Sequence, residues 1–310
     1  MNTIILSFLA GIALRALKKD ITIPSWVAFL LSSYILLSIG FKGGFELAHH
    51  LSSQLLLEVA VVMAMGIAAT LLYWLWLRFF SIYSHQESIV LAAHYGSVSV
   101  ATYAVAVVML TLRSIPFSPY FPLFVSVLEF PAIIVGNILL SATHKKKFSL
   151  SHTLRQIVMC KSLQLLLGAI FLGAIAREWI IGVVEPVFIK PFYGVLALFL
   201  FEMGIVVGSQ LAQIVAEWRV VVTVALSLSA IGMILGLVTA KILHFGVGDT
   251  ALLMTMGASA SYIAVPASLR ASTDSLSLSR ALIHALGVSF PFNIMVGIPF
   301  YIWVAQILGS

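Results

Sequence analysis

Several things are scarce in this chain of 310 residues, and each scarcity excludes a class of protein. There is one cysteine, Cys160, so no internal disulfide framework and no CxxC metal or redox pair can form; a small apolar residue in a helix is the ordinary reading of it. Charged residues make up only 9% of the sequence, against about 25% in soluble domains, so most of the surface does not meet water. No stretch is long or polar enough for a separate soluble domain. HExxH, a Walker loop and any clustered Cys/His pattern are also missing, which leaves metal hydrolysis and nucleotide binding without support. The apolar runs are continuous rather than alternating, which argues against a transmembrane β-barrel.

What remains is overwhelmingly apolar: 61% of residues are hydrophobic. At ~20 residues per bilayer crossing the chain has room for about ten helical spans. Charge and turn clusters delimit them near 3–17, 24–47, 54–77, 87–112, 120–143, 155–176, 190–213, 219–243, 249–269 and 281–308. The first run is apolar from Ile4 to Leu14 but has no basic segment before it; Arg15, Lys18 and Lys19 follow it, as expected of a span rather than a secretory signal.

The formal charge of +6 sits in short loops, which does not suit nucleic acid. Odd-numbered loops hold Arg15, Lys18, Lys19, Arg78, Lys145, Lys146, Lys147, Arg155, Arg219, Arg270 and Arg280; even-numbered loops hold only Arg113, Arg177, Lys190 and Lys241. The positive-inside rule then makes the odd loops cytoplasmic and puts both termini outside a bacterial inner membrane. The most polar stretch, His144–Arg155, becomes a cytoplasmic hinge. It divides the chain into a five-helix repeat over 1–143, a hinge over 144–154 and a second repeat over 155–310.

The halves match in order. Phe8-Leu9 with Arg15 parallels Phe171-Leu172 with Arg177; Gly40, Gly44, Leu47 and Ala48 parallel Gly204, Gly208, Leu211 and Ala212. Ser97-Val98-Ser99 parallels Ser259-Ala260-Ser261, and Phe130-Pro131 with Gly136 parallels Phe290-Pro291 with Gly297. An odd number of spans per repeat inverts the second half relative to the first, the arrangement of many secondary transporters.

Spans four and nine carry the feature richest in chemistry. Tyr95, Gly96, Ser97 and Ser99 lie mid-span in one; Gly257, Ala258, Ser259 and Ser261 lie mid-span in the other. Glycine and serine there weaken the helix and favour a break. A broken helix offers free N–H groups and a positive dipole end to a small anion, and the hydroxyls add donors for oxyanion oxygens or lone pairs for sodium. Small residues also serve close helix packing, which competes with this reading. Glu46, Glu129 and Glu202 fall inside spans, where a charge needs a purpose or a partner. Lys42, one turn before Glu46, is positioned to neutralise it. Glu129, ahead of Phe130-Pro131, and Glu202 are candidates for a coupling cation or proton, and Asn293 for an uncharged ligand oxygen. Six histidines fall at span ends; His94 adjoins the break in span four and His284 lies inside span ten.

At these motifs the chain resembles the sodium-dependent bicarbonate transporter family, best known from the cyanobacterial inorganic-carbon uptake system. The resemblance rests on Gly40-Phe41-Lys42-Gly43-Gly44-Phe45-Glu46-Leu47-Ala48, His94 to Ser99, Glu129-Phe130-Pro131, Glu202-Met203-Gly204-Ile205-Val206, Gly257 to Pro266 and Phe290-Pro291-Phe292-Asn293. It implies ten spans in two inverted repeats, a core domain moving against a gate domain, a homotrimer in the lipid bilayer, and sodium-coupled uptake of bicarbonate held between the broken helices. Transported Na+ is then cargo, and no cofactor is implied. Cyanobacterial members have aspartate where Glu202 stands. They also have a longer central segment, and its shortness here argues against control by their PII-like partner. The competing expectations are a sodium- or proton-coupled carrier of another small anion, an anion channel, and an intramembrane serine hydrolase using Ser259 with His94 or His284. The duplicated serines without a duplicated histidine disfavour the hydrolase, so the chain is read as a carrier and not an enzyme.

Overall fold

An apolar chain inside a bilayer has no water to satisfy its backbone, so it must satisfy every N–H and C=O internally, and unbroken apolar runs do so as helices. The computed structural model describes residues 3–18, 21–143, 148–175, 180–270 and 272–308, and every regular element among them is helical. Helix α1 spans Thr3–Leu17, α2 Ser25–His50, α3 Ser53–Phe80, α4 His85–Gly96, α5 Val100–Leu112 and α6 Phe121–Thr143. The second half contributes α7 (Leu150–Val158), α8 (Lys161–Ile175), α9 (Ile180–Ile189), α10 (Phe192–Ala216), α11 (Trp218–Ile242), α12 (Val247–Ala258), α13 (Ala264–Leu269) and α14 (Ser275–Leu308).

Among the described residues, seven segments are long and apolar enough to cross a membrane, or eight if the bent pair α7–α8 counts as one span. Two of the ten expected spans fall short for different reasons. Helix α1 has 15 residues, about 22 Å at 1.5 Å per residue, well under the ~30 Å hydrocarbon thickness. The segment expected over 249–269 is divided into α12 and α13. A third expectation needs correction. A span beginning at residue 155 would start inside α7, a separate helix whose axis lies 69° from that of α8. Ser151, His152 and Arg155 make α7 too polar to continue the span, and only Thr153 and Ile157 are buried in it. The four hinge residues 144–147, together with Lys19 and Arg177, lie outside the described residues.

Helix α14 is continuous yet irregular. Residues Ile283–Ser289 and Asn293–Gly297 are π-helical on either side of Phe290-Pro291-Phe292. Pro291 removes one N–H and crowds the preceding turn, and wider i→i+5 turns accommodate both effects.

Helix α1 packs along α10, and α2 packs along α8. Each crossing passes through glycine. A Cβ on Gly11 would overlap the backbone of Phe201 and meet Gly204, and one on Gly173 would overlap Phe41 and meet Gly44. Lipid chains give helices no hydrophobic reason to associate, so close backbone approach supplies the contact through dispersion. In the rest of the molecule α3 packs on α4 and α6, while α11 packs on α12 and on the π-helical part of α14. Leu56, Leu57, Leu75, Phe79, Trp303 and Ile307 point outward as the lipid-facing surface. Helices α4, α5 and α12 are buried almost along their whole length. Helices apolar all round belong at the centre of a bundle, and this places both helix breaks there.

Candidate substrate and cation site

Helix α4 starts in a capping box: Ser84 Oγ accepts from Glu87 N at 3.3 Å, and Glu87 Oε2 accepts from Ser84 N at 2.9 Å. Its first turn is tied to α14 by Arg280, which donates to Glu87 Oε1 at 2.7 Å, and by Gln86, which donates to Asp274 Oδ2 at 2.6 Å. The helix ends at Gly96, where a Cβ would overlap the Thr70 hydroxyl of α3. Ser97 (φ −100°, ψ −171°) and Ser99 (φ −95°, ψ 112°) are extended, and α5 restarts at Val100. Ser99 caps that restart by accepting from Thr102 N at 3.2 Å and Thr102 Oγ1 at 2.9 Å.

The other break has the same build. Helix α12 stops at Ala258, Ser259 is extended (φ −88°, ψ 167°), and α13 begins at Ala264. Orphan carbonyls at a buried helix end need donors, and two side chains supply them. Tyr73 Oη donates to Gly257 O at 3.1 Å, and Asn293 Nδ2 donates to Ala258 O at 3.0 Å. The two breaks also bond to each other. Ser99 N donates to Ser259 Oγ at 3.0 Å, and Ser261 N donates to His94 O at 2.8 Å. The crossing is thus a small hydrogen-bonded lattice of extended backbone at the bundle centre.

A small cavity with room for about one water molecule opens beside it, lined by Val98, Ser99, Val100, Glu129, Ser162, Ser261, Tyr262, Ile263 and Ala264. Glu129 is 3% exposed; among the described residues its Oε2 has no hydrogen-bond partner, nor has Ser97 Oγ nearby on the break, and Tyr262 Oη stands near the Ser99 hydroxyl without a bond of good geometry. Buried polar atoms are normally paired, so such orphans around one crossing mark an unfilled demand for partners. An acidic oxygen, hydroxyls and the positive end of the 13-residue α5 are groups that can bind a sodium ion or a small oxyanion.

Of the residues expected from sequence, Ser99, Ser261 and Glu129 meet in this cavity. Ser97 and Ser259 are buried in the crossing, Ser259 spending its hydroxyl on Ser99 N and on Met256 O at 2.9 Å. Gly96, Gly257 and Ala258 form the break without lining the cavity. Tyr95 Oη turns away to Ser289 Oγ at 2.5 Å. Glu202 is buried on α10, outside the cavity wall but within electrostatic range of Tyr262. Asn293 has both polar atoms engaged, its Oδ1 accepting from Tyr301 Oη at 2.8 Å. Lys42 and Glu46 share a face of α2 but form no ion pair. Neither His94 nor His284 bonds a serine: His94 Nδ1 lies 2.8 Å from Val90 O, and His284 Nε2 lies 2.9 Å from Tyr83 Oη. Sequence reasoning left Ser162 and Tyr262 out of the site. Tyr262 follows directly on the second break, a usable signal, whereas Ser162 on α8 carried none.

A bundle of apolar helices whose most buried members are broken and cross at its centre defines a multi-pass membrane protein. The chain matches the Na+-dependent bicarbonate transporter superfamily over residues 3–306, nearly its whole length, and belongs to that family. No curated protein matches it.

Proposed function

We propose that this protein is a sodium:bicarbonate symporter that imports bicarbonate by alternating access. The observation that carries the reading is the crossing itself: Ser99, Ser261 and the unpartnered Glu129 around one small cavity between two mutually bonded helix breaks. Glu129 attracts sodium, sodium and the α5 terminus attract bicarbonate, and the hydroxyls of Ser99 and Ser261 orient its oxygens. Glu202 on α10 guards the facing side.

The same reading takes the chain as ten spans in two inverted repeats. The matched pairings of α1 with α10 and of α8 with α2, each through close glycines, support it. So does the parallel between α3–α4–α6 and α11–α12–α14. The first group is the gate, the second the core, and rocking one against the other exposes the crossing to each side in turn. The protein assembles as a homotrimer in the bacterial inner membrane, with both termini outside and the hinge cytoplasmic. Thiol labelling from outside then modifies a cysteine placed at Ser310 and spares one at Ser149; the reverse pattern inverts the orientation.

Liposome uptake of labelled bicarbonate, with and without an inward sodium gradient, tests the function. Uptake that ignores sodium, or that formate, acetate, nitrate or sulfate suppresses better than bicarbonate itself, overturns it. The second outcome selects a carrier of another small anion, because the cavity's few donors do not single out carbonate chemistry.

A further inference from the structure

A second cavity, about 160 Å³, shares no residue with the crossing and is open to the surface. It lies between α2, α5, the start of α6 and the junction of α9 with α10. Its walls are mostly apolar, with Phe117, Phe188 and Phe192 among them, and among the described residues Lys42 is its only charged side chain. Lys42 makes no ion pair among the described residues. Tyr103 is 2% exposed, and its hydroxyl also has no partner among the described residues although it lines the cavity. Two other hydroxyls are spent within their own helices, Ser38 Oγ on Tyr34 O at 2.8 Å and Thr111 Oγ1 on Val107 O at 2.8 Å, and Tyr193, the third, is exposed.

One free ammonium, one free buried phenol and a long apolar wall describe a ligand with a single anionic head and an aliphatic tail. Small-molecule sites are likewise apolar with a few convergent polar groups. Bicarbonate would leave most of the cavity empty and most of its own oxygens unbonded. A two-chain phospholipid has more bulk than the space holds. We propose that this cavity binds a free medium-chain aliphatic carboxylate, its head on Lys42 and Tyr103 and its tail against Phe117, Phe188 and Phe192. The site needs neither sodium nor bicarbonate, so it stands or falls apart from the transport reading.

The test is calorimetric titration of hexanoate, octanoate and decanoate into the protein held in phosphatidylcholine nanodiscs, with decanol as the uncharged control and empty nanodiscs subtracted. One saturable site is expected, with affinity rising about fourfold per added methylene. Lys42→Gln should weaken decanoate about tenfold, as loss of a charge-assisted bond requires, and leave decanol unchanged. Lys42→Arg should restore decanoate to within about threefold, and Tyr103→Phe should weaken it about threefold. Val107→Trp, which fills the cavity, should abolish binding, with thermal melting confirming that the variant is folded. Absence of a saturable site, or an unchanged decanoate-to-decanol ratio in Lys42→Gln, overturns the proposal. So does Lys42-dependent displacement of decanoate when phosphatidylglycerol replaces part of the phosphatidylcholine, since the occupant is then a lipid.

Discussion

Replacing Glu129 by glutamine is the most informative single perturbation of this protein. The side chain is almost completely buried, faces the cavity at the crossing, and leaves Oε2 without a partner among the described residues. Glutamine keeps the shape and one oxygen ligand but removes the charge. A unit charge 4 Å from sodium is worth about 4 kcal/mol at an effective dielectric constant of 20. The remaining amide oxygen and the carboxylate's desolvation offset about half of that, so a net loss near 2 kcal/mol, about 30-fold in sodium affinity, is expected. Sodium uptake kinetics should show that rise in half-saturating concentration. Thermal melting gives an independent readout. A ligand that binds only the folded state stabilises it by about 2.7 kcal/mol at 100 times its dissociation constant. The wild-type protein should therefore melt higher in sodium chloride than in choline chloride, and Glu129→Gln should lose most of the difference. In choline the variant should be as stable as wild type or more so, because an unpaired buried carboxylate is a cost to the fold. Wild-type sodium dependence in both assays would refute the assignment of Glu129. Destabilisation in choline would refute the premise that its carboxylate is unpaired.

The serines should divide by their place: Ser99→Ala and Ser261→Ala, which face the cavity, should weaken apparent bicarbonate affinity about 2- to 13-fold, Ser99→Ala also losing about 1 kcal/mol of stability with its α5 cap, while Ser259→Ala should lower stability by about 1 kcal/mol with a smaller effect on affinity. Silent alanines at Ser99 and Ser261 in uptake assays would remove them from the site. Gly96→Ala should cost about 1–3 kcal/mol through overlap with Thr70, and Thr70→Ala in the same chain should recover part of it, as thermal melting can check. At the start of α14, hydrogen bonds from Ser277 N and Oγ hold the Asp274 carboxyl below its ordinary range. A depressed folded-state pKa means the cap contributes fully above the unfolded value near about 3.9 and is lost as pH falls through the folded value. Asp274→Ala should therefore speed hydrogen exchange at Ser277 by up to about tenfold at pH 6, a local opening worth about 1 kcal/mol, and the gap should close towards pH 3.

The membrane-spanning character was legible in runs such as Val59 to Ala69, where no side chain offers a polar group. The helix breaks were legible too, because Gly96 with Ser97 and Ser99, and Gly257 with Ser259 and Ser261, are local choices that weaken a helix wherever it lies. Pro291 stands between π turns whereas Pro131 lies inside the regular α6, a difference that proline alone does not determine. Other features were set by residues far apart in the chain. Asn293 reads in sequence as a free ligand oxygen, yet Ala258 and Tyr301 occupy it. Lys42 and Glu46 have the spacing of an ion pair, yet Lys42 lines a cavity instead. The start of α8 was misplaced because residues 150–158 are helical in either reading, and only packing of Thr153 and Ile157 decides that they turn aside. Ser162 joined Glu129 and Ser261 without any local mark. Composition and local pattern therefore determined that this protein is a helical membrane bundle broken at two places. The tertiary structure decided which polar atoms near those breaks remain unspent, because a buried donor or acceptor is free only when no neighbour from another helix reaches it.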